Sequence, residues 1–182
     1  MRAPPLNHVQ DNGLDAPRAQ AELCAAWYDA HGKAVYNYFR FQLVPPDDAE
    51  DFTAETFLRA VRAAERYDAS RAGVQTWLLT IARNVLIDER RSARVRRQVG
   101  IDELRDLAMD EPSPEERMLR REAVGAAMSA MGGLSGEDRE LLSLRFGGEL
   151  EIAELAQMLD VPPGTVRTRL WRALERLREQ MT

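Results

Sequence analysis

Four side chains near the carboxyl end, Arg167, Thr168, Trp171 and Arg172, recur at helical spacing within PGTVRTRLWRALERLRE. Residues three or four apart share a helix face, so this side would carry two guanidinium forks, a hydroxyl and a flat apolar ring. Thr165 and Arg169 flank the set. Such a face suits guanine edges, phosphates and thymine methyls in a DNA major groove. A helical hairpin that merely carries surface arginines would display the same residues. A second group, Arg83, Arg90, Arg94 and Arg97 with Arg91 beside it, forms a basic stripe able to track phosphates, or a solvated face. A third, Asp48, Asp51 and Glu55, makes an anionic ridge of the kind that sets orientation and encounter rate with a basic partner. Acids in a first turn also offset the helix dipole by about 0.3 to 1 kcal/mol each, which accounts for Asp48 and Asp51 better than for Glu55.

Catalytic chemistry has little to draw on. Cys24 and His31 lie seven apart and His8 stands near the amino end. Zinc needs three or four ligands, and a Cys-His pair needs a third group to orient it. The residues therefore predict neither an enzyme nor a metal or cofactor site, and Cys24 reads as a small core residue. One cysteine cannot form an internal disulfide. The first twenty residues lack the apolar stretch of a signal peptide, and no run approaches the roughly 18 apolar residues of a membrane span. A cytoplasmic protein is expected.

The formal net charge of -5 over 182 residues argues against nucleic acid, but the charge is sorted into blocks. Residues 83–97 hold six arginines against Asp88 and Glu89, a balance of +4; residues 162–182 reach +3; residues 98–119 between them fall to -5. Sorting of this kind usually marks partners.

The elements that must position these groups are all helical. Residues 1–20 carry three prolines and no periodic pattern, and read as a tail. Leu23, Trp27, Ala30, Ala34 and Tyr38 predict a helix that stops before Pro45-Pro46. Asp47, with Glu50 three residues on, is expected to cap the next, whose stripe Ala54, Phe57, Leu58, Val61 and Ala64 should face a core. After the loop DASRAG a third helix is expected from about Thr76, with Leu78, Ile81, Ala82 and Val85 inward. Beyond the acidic segment, helical spacing resumes until Gly132-Gly133, and Ser135 is placed to cap a helix through Asp138. EIAELAQMLDVPPGTVRTRLWRALERLRE then has helix-turn-helix spacing. Ile152, Leu155 and Leu159 would face inward on its first helix, Ala153 would allow close crossing, Asp160 would take the turn, and Val166, Leu170, Leu174 and Leu177 would line the second. The fold class is all-α: a tail (1–20), a helical domain (21–97), an acidic linker (98–118) and a helix-turn-helix domain (119–182), with Trp77 and Leu170 as core residues.

In combination these stretches resemble the bacterial extracytoplasmic-function (ECF) sigma factors. DAEDFTAETFLRAV is similar to the family's region 2.2, YDASRAGVQTWLLTIARNVLIDERR to regions 2.3 and 2.4, and EIAELAQMLDVPPGTVRTRLWRALERLR to region 4.2. The resemblance implies a factor that binds core RNA polymerase, recognises -35 and -10 promoter elements and promotes melting. It implies that Asp48, Asp51 and Glu55 meet the β′ clamp helices and that the second domain meets the β flap. Ser70, Arg71, Gly73 and Val74 would receive an unstacked -10 base, with Asn84, Arg83, Arg90, Arg91 and Arg94 on the opened strand, and Thr165, Arg167, Thr168, Arg169, Trp171 and Arg172 would meet the -35 duplex. An anti-sigma partner and a linker lying in the polymerase's nucleic-acid channel are also implied. A plain helix-turn-helix regulator explains residues 134–180 equally well but leaves the first hundred without a role.

Overall fold

The computed structural model describes residues 16–97 and 126–181, and among them every regular element is a helix. Helix α1 (Ala16–Phe41) buries Trp27, Ala34, Val35, Tyr38 and Phe39. The stripe steps from Trp27 through half-buried His31, so Ala30, expected inside, turns out to solvent. Leu43 then adopts a left-handed conformation (φ 64°), and the buried Arg40 guanidinium donates to the Val44 carbonyl, closing the turn.

Helix α2 (Pro46–Arg62) starts two residues earlier than Asp47 capping would place it. Pro46 occupies its first position, no side chain caps it, and Asp47 and Asp48 lie in the first turn. Proline suits that place because its φ is preset and its missing N–H would be unpaired anyway. The buried face is also rotated from the expected one. Ala49, Thr53, Thr56, Phe57 and Ala60 are inside, whereas Ala54 is exposed, Leu58 is 49% exposed, and Val61 and Ala64 are half-buried. The threonines explain the difference. Their hydroxyls donate to Ala49 O (2.6 Å) and Phe52 O (2.7 Å), and a satisfied hydroxyl can face a core at little cost.

After a 3-10 turn (Ala64–Arg66) and a loop, α3 (Val74–Arg97) begins two residues before Thr76. It buries Leu78, Leu79, Ala82, Val85 and Leu86, with Ile81 and Trp77 half-buried. Helices α1, α2 and α3 pack mutually into the first domain.

The second domain opens with α4 (residues 126–132). Ser135 caps α5 (Gly136–Leu142) by accepting the Asp138 N–H at 3.1 Å, as its spacing predicted. The helix runs on through a π turn (Ser143–Gly147), closed by Gly148 N–H to Ser143 O at 2.8 Å. Helix α6 (Ile152–Leu159) starts where the Glu154 carboxylate accepts the Glu151 N–H at 2.8 Å. Asp160 takes the left-handed turn (φ 51°, ψ 49°), and α7 (Pro163–Gln180) follows with Val166, Leu170 and Ala173 buried. Ala156, rather than the exposed Ala153, is the small buried residue of α6. Helices α5 and α6 both pack on α7, and the π turn rests on α1, so the apolar core runs continuously from one domain into the other.

Candidate nucleic-acid interface

Leu170 and Ala173 anchor α7 to its own core, which turns Arg167, Thr168, Arg169, Trp171 and Arg172 to solvent. Trp171 is 63% exposed. Its large ring spends apolar area in water, an arrangement that favours partners over packing. Arg167, Arg169 and Arg172 form no ion pair with another described residue. Their charge is available. Arg176 and Arg178 on the same helix are instead paired, with Asp138 and Glu175. Thr168 donates its hydroxyl to Gly164 O at 3.0 Å, leaving the oxygen lone pairs outward, and Thr165 is half-buried.

The loop ahead of α3 is preorganised. Asp68 Oδ1 accepts from Ser70 N–H (2.9 Å) and Ser70 Oγ (2.7 Å), and these bonds hold its carboxyl below the ordinary range. Beneath the loop three rings form a platform: Trp27 and Trp77 edge to face at 5.5 Å, Tyr67 tilted against Trp77 at 5.0 Å, with the Tyr67 hydroxyl donating to Ala72 O at 3.1 Å. Ser70, Arg71, Gly73 and Asn84 are exposed, and Val74 and Arg83 are half-buried. Arg90 and Arg91 are exposed on α3, and Arg94 belongs to the same helix with its side chain outside the described residues.

Asp48, Asp51 and Glu55 line one groove of about 680 Å3, floored by Leu43, Val44, Phe52, Val85 and Leu86. They are electrostatically unequal. Arg59 bonds both Glu55 and Asp88 at 2.7 Å, which neutralises the far end of the ridge, whereas Asp48 and Asp51 are exposed without an ion pair to any described residue. Leu58, which spacing placed inward, is exposed on the outer side of α2, and Tyr28 (edge to face with Phe57) and Phe146 are exposed apolar groups that spacing did not single out. For Leu58 the available signal was the threonine pair, which shifts the core stripe away from it.

Glu140 of α5 is a largely buried carboxylate between the two domains. It accepts from Tyr38 Oη (3.1 and 3.2 Å), Gln42 Nε2 (2.8 Å) and Arg83 Nε (3.1 Å). Desolvation raises its pKa against the opposing pull of Arg83, and desolvation likewise lifts the Tyr38 phenol well above its usual range. His31 bonds Gln75 at 3.3 Å rather than Cys24, and burial lowers its pKa.

Comparison with known proteins places this geometry. Residues 27–96 match the Sigma-70 region 2 model and residues 130–179 match Sigma-70, region 4. The ECF RNA polymerase sigma factor SigL of Mycobacterium tuberculosis is 34% identical over 90% of this chain and 91% of its own length. The chain belongs to the ECF RNA polymerase sigma factors. BldN of Streptomyces coelicolor, another of these sigma factors, is 33% identical over 89% of this chain, which spans 61% of BldN. The sigma factor RpoE of Bartonella quintana, solved with the anti-sigma factor NepR, superposes with a TM-score of 0.60 at 19% identity, over 92% of this chain and 97% of that one, a likeness of fold.

In this ECF sigma factor the exposed basic face of α7 falls within region 4, and the loop with its aromatic platform within region 2. The expected linker (98–118) lies outside the described residues. Among those described, no helix is long and apolar enough to cross a membrane.

Proposed function

We propose that this sigma factor carries core RNA polymerase to promoters through a division of labour between its two domains. The observation that carries the reading is the pairing, in one chain, of region 2 and region 4 with an α7 face whose arginines form no ion pair among the described residues. Arg167, Arg169, Trp171 and Arg172, with Thr165 and Thr168, meet the -35 duplex. The loop Ser70–Val74, with Asn84, Arg83, Arg90, Arg91 and Arg94, takes the -10 strand once its bases unstack. Unstacking costs a few kcal/mol, which a pocket and backbone contacts can offset without ATP. Asp48 and Asp51, with Glu55, meet basic residues of the β′ clamp helices, and the second domain meets the β flap. The chain divides as tail (1–20), region 2 domain (21–97), linker (98–118) and region 4 domain (119–182). It works in the cytoplasm as an initiation factor rather than an enzyme, under an anti-sigma partner.

Copurification tests this. The tagged chain should enrich core RNA polymerase and, mixed with purified core, start transcription on fragments that core alone ignores. A chain that binds duplex DNA but neither enriches nor redirects polymerase would be a simple regulator.

A further inference from the structure

Residues read as promoter-facing are tied to the other domain, Arg83 and the Arg71 carbonyl directly and Arg90 through Gln42 of its own domain. Arg83 donates to Glu140 at 3.1 Å, and Arg90 donates to both oxygens of Gln42, the residue whose amide also bonds Glu140. The carbonyl of Arg71, in the loop itself, accepts from Gln157 of α6. At the start of α3, Thr76 donates to Glu154 at 3.1 Å and Gln75 to the Gly148 carbonyl at 2.7 Å. A methyl group on Gly147 would stand 2.9 Å from Asn37 O and 3.0 Å from Tyr38 Cα. The π turn therefore sits directly on the backbone of α1, and only glycine permits that approach.

From these contacts we infer that the free protein is self-latched: Glu140, Gly147 and Gln157 clamp region 4 onto region 2, and the clamp occupies the loop and arginines needed for the -10 strand. The inference rests on the reading of Ser70–Val74, Arg83 and Arg90 given above, and supplies its regulation. The bonds are mutually exclusive with strand binding, since the Arg83 guanidinium edge that meets Glu140 and the loop carbonyl that meets Gln157 cannot serve DNA at the same time. Only the open fraction binds, so apparent affinity for single strands is reduced by that fraction. Polymerase, by holding the two domains apart on separate surfaces, would free the loop. A buried carboxylate with several donors suits a switch, because each side is costly to leave unpaired once the other departs.

Three full-length variants test the latch. Gly147→Ala wedges the π turn off α1, Glu140→Ala removes the central acceptor, and Gln157→Ala cuts only the tie to the loop, from an exposed side chain that no core depends on. The readouts are the radius of gyration by small-angle X-ray scattering, backbone hydrogen exchange, and binding of an AT-rich fluorescent single-stranded DNA at low salt. Wild type should be compact, with residues 71–80 and 140–148 protected. The first two variants should expand, lose protection in both segments while keeping it around Leu155 and Val166, and bind the strand about fivefold or more tightly. Gln157→Ala should expose the loop alone and gain part of that affinity. An expanded wild type overturns the latch, as do unchanged dimensions and exchange in all three variants, or opening with no gain in strand binding. Failure to enrich polymerase despite a working latch would instead sink the proposed function, and polymerase-dependent initiation by a protein with no latch would leave that function standing.

Discussion

Asp138 and Arg176 form a two-point ion pair, Nε to Oδ2 and Nη2 to Oδ1 both at 2.8 Å, that ties α5 to α7. The Arg176 bond, ahead of the Ser135 cap, holds the Asp138 carboxyl below its ordinary value. A depressed carboxylate adds stability that is present above the unfolded pKa and disappears as pH falls through the folded one. Asp138→Asn is therefore expected to lower the melting temperature of the region 4 domain at pH 7. The gap should begin to close on acidification below about pH 4, where aspartate normally titrates, and narrow further as pH falls through the depressed folded value. Thermal melts by circular dichroism at pH 7 and pH 3 check this; a gap independent of pH would assign the loss to the cap rather than the ion pair.

Leu170 and Trp171 are neighbours with opposite environments, 7% and 63% exposed. Leu170→Ala empties a packed site and should cost about 2 to 5 kcal/mol, enough to disrupt α7 and every step that needs it. Trp171→Ala should change stability by no more than about 0.5 kcal/mol while weakening duplex binding. Denaturant titration beside a gel-shift assay separates the two.

Replacing Arg167 or Arg172 by alanine should cost about 1 to 3 kcal/mol of -35 binding if the residue reads a base, with discrimination relaxed at one position. A phosphate contact would instead weaken all sequences alike and flatten the salt dependence. Asn84→Ala should spare duplex capture and lower open-complex formation, a defect that a pre-opened bubble template rescues. Identical behaviour of these variants on both templates would contradict the division of labour.

Asp48→Lys with Asp51→Lys should leave helicity intact and slow association with core polymerase by about tenfold at low salt, less as salt rises. Glu55→Lys is a poorer probe, because it also releases Arg59 from a bond it shares with Asp88. Its effect should include the loss of that bridge, a stability cost separate from the dipole term of about 0.3 to 1 kcal/mol that reversing a first-turn acid carries, visible as a lower melting midpoint.

Local rules made much of this protein legible in its sequence. The Ser135 cap, the stop at Gly132-Gly133, the left-handed Asp160 and the inward stripe of α7 depend on residues within a turn or two of one another. Their spacing therefore reports them directly. The exposed face of α7 follows from its buried one. What only the tertiary structure decided is where satisfaction or contact comes from elsewhere. The α2 stripe rotated because Thr53 and Thr56 pair with their own backbone, and whether such threonines face solvent or core depends on the neighbour. Beside Gly147 and Gly148 the left-handed residue is Glu149 (φ 56°), and Gly147 is needed for its approach to α1. Glu140 carried no local sign of its role, since its partners Tyr38 and Gln42 stand 102 and 98 positions away. Periodicity encodes which face of a helix is apolar; it cannot encode which distant donors a buried carboxylate will meet, because that is settled only when the two domains pack.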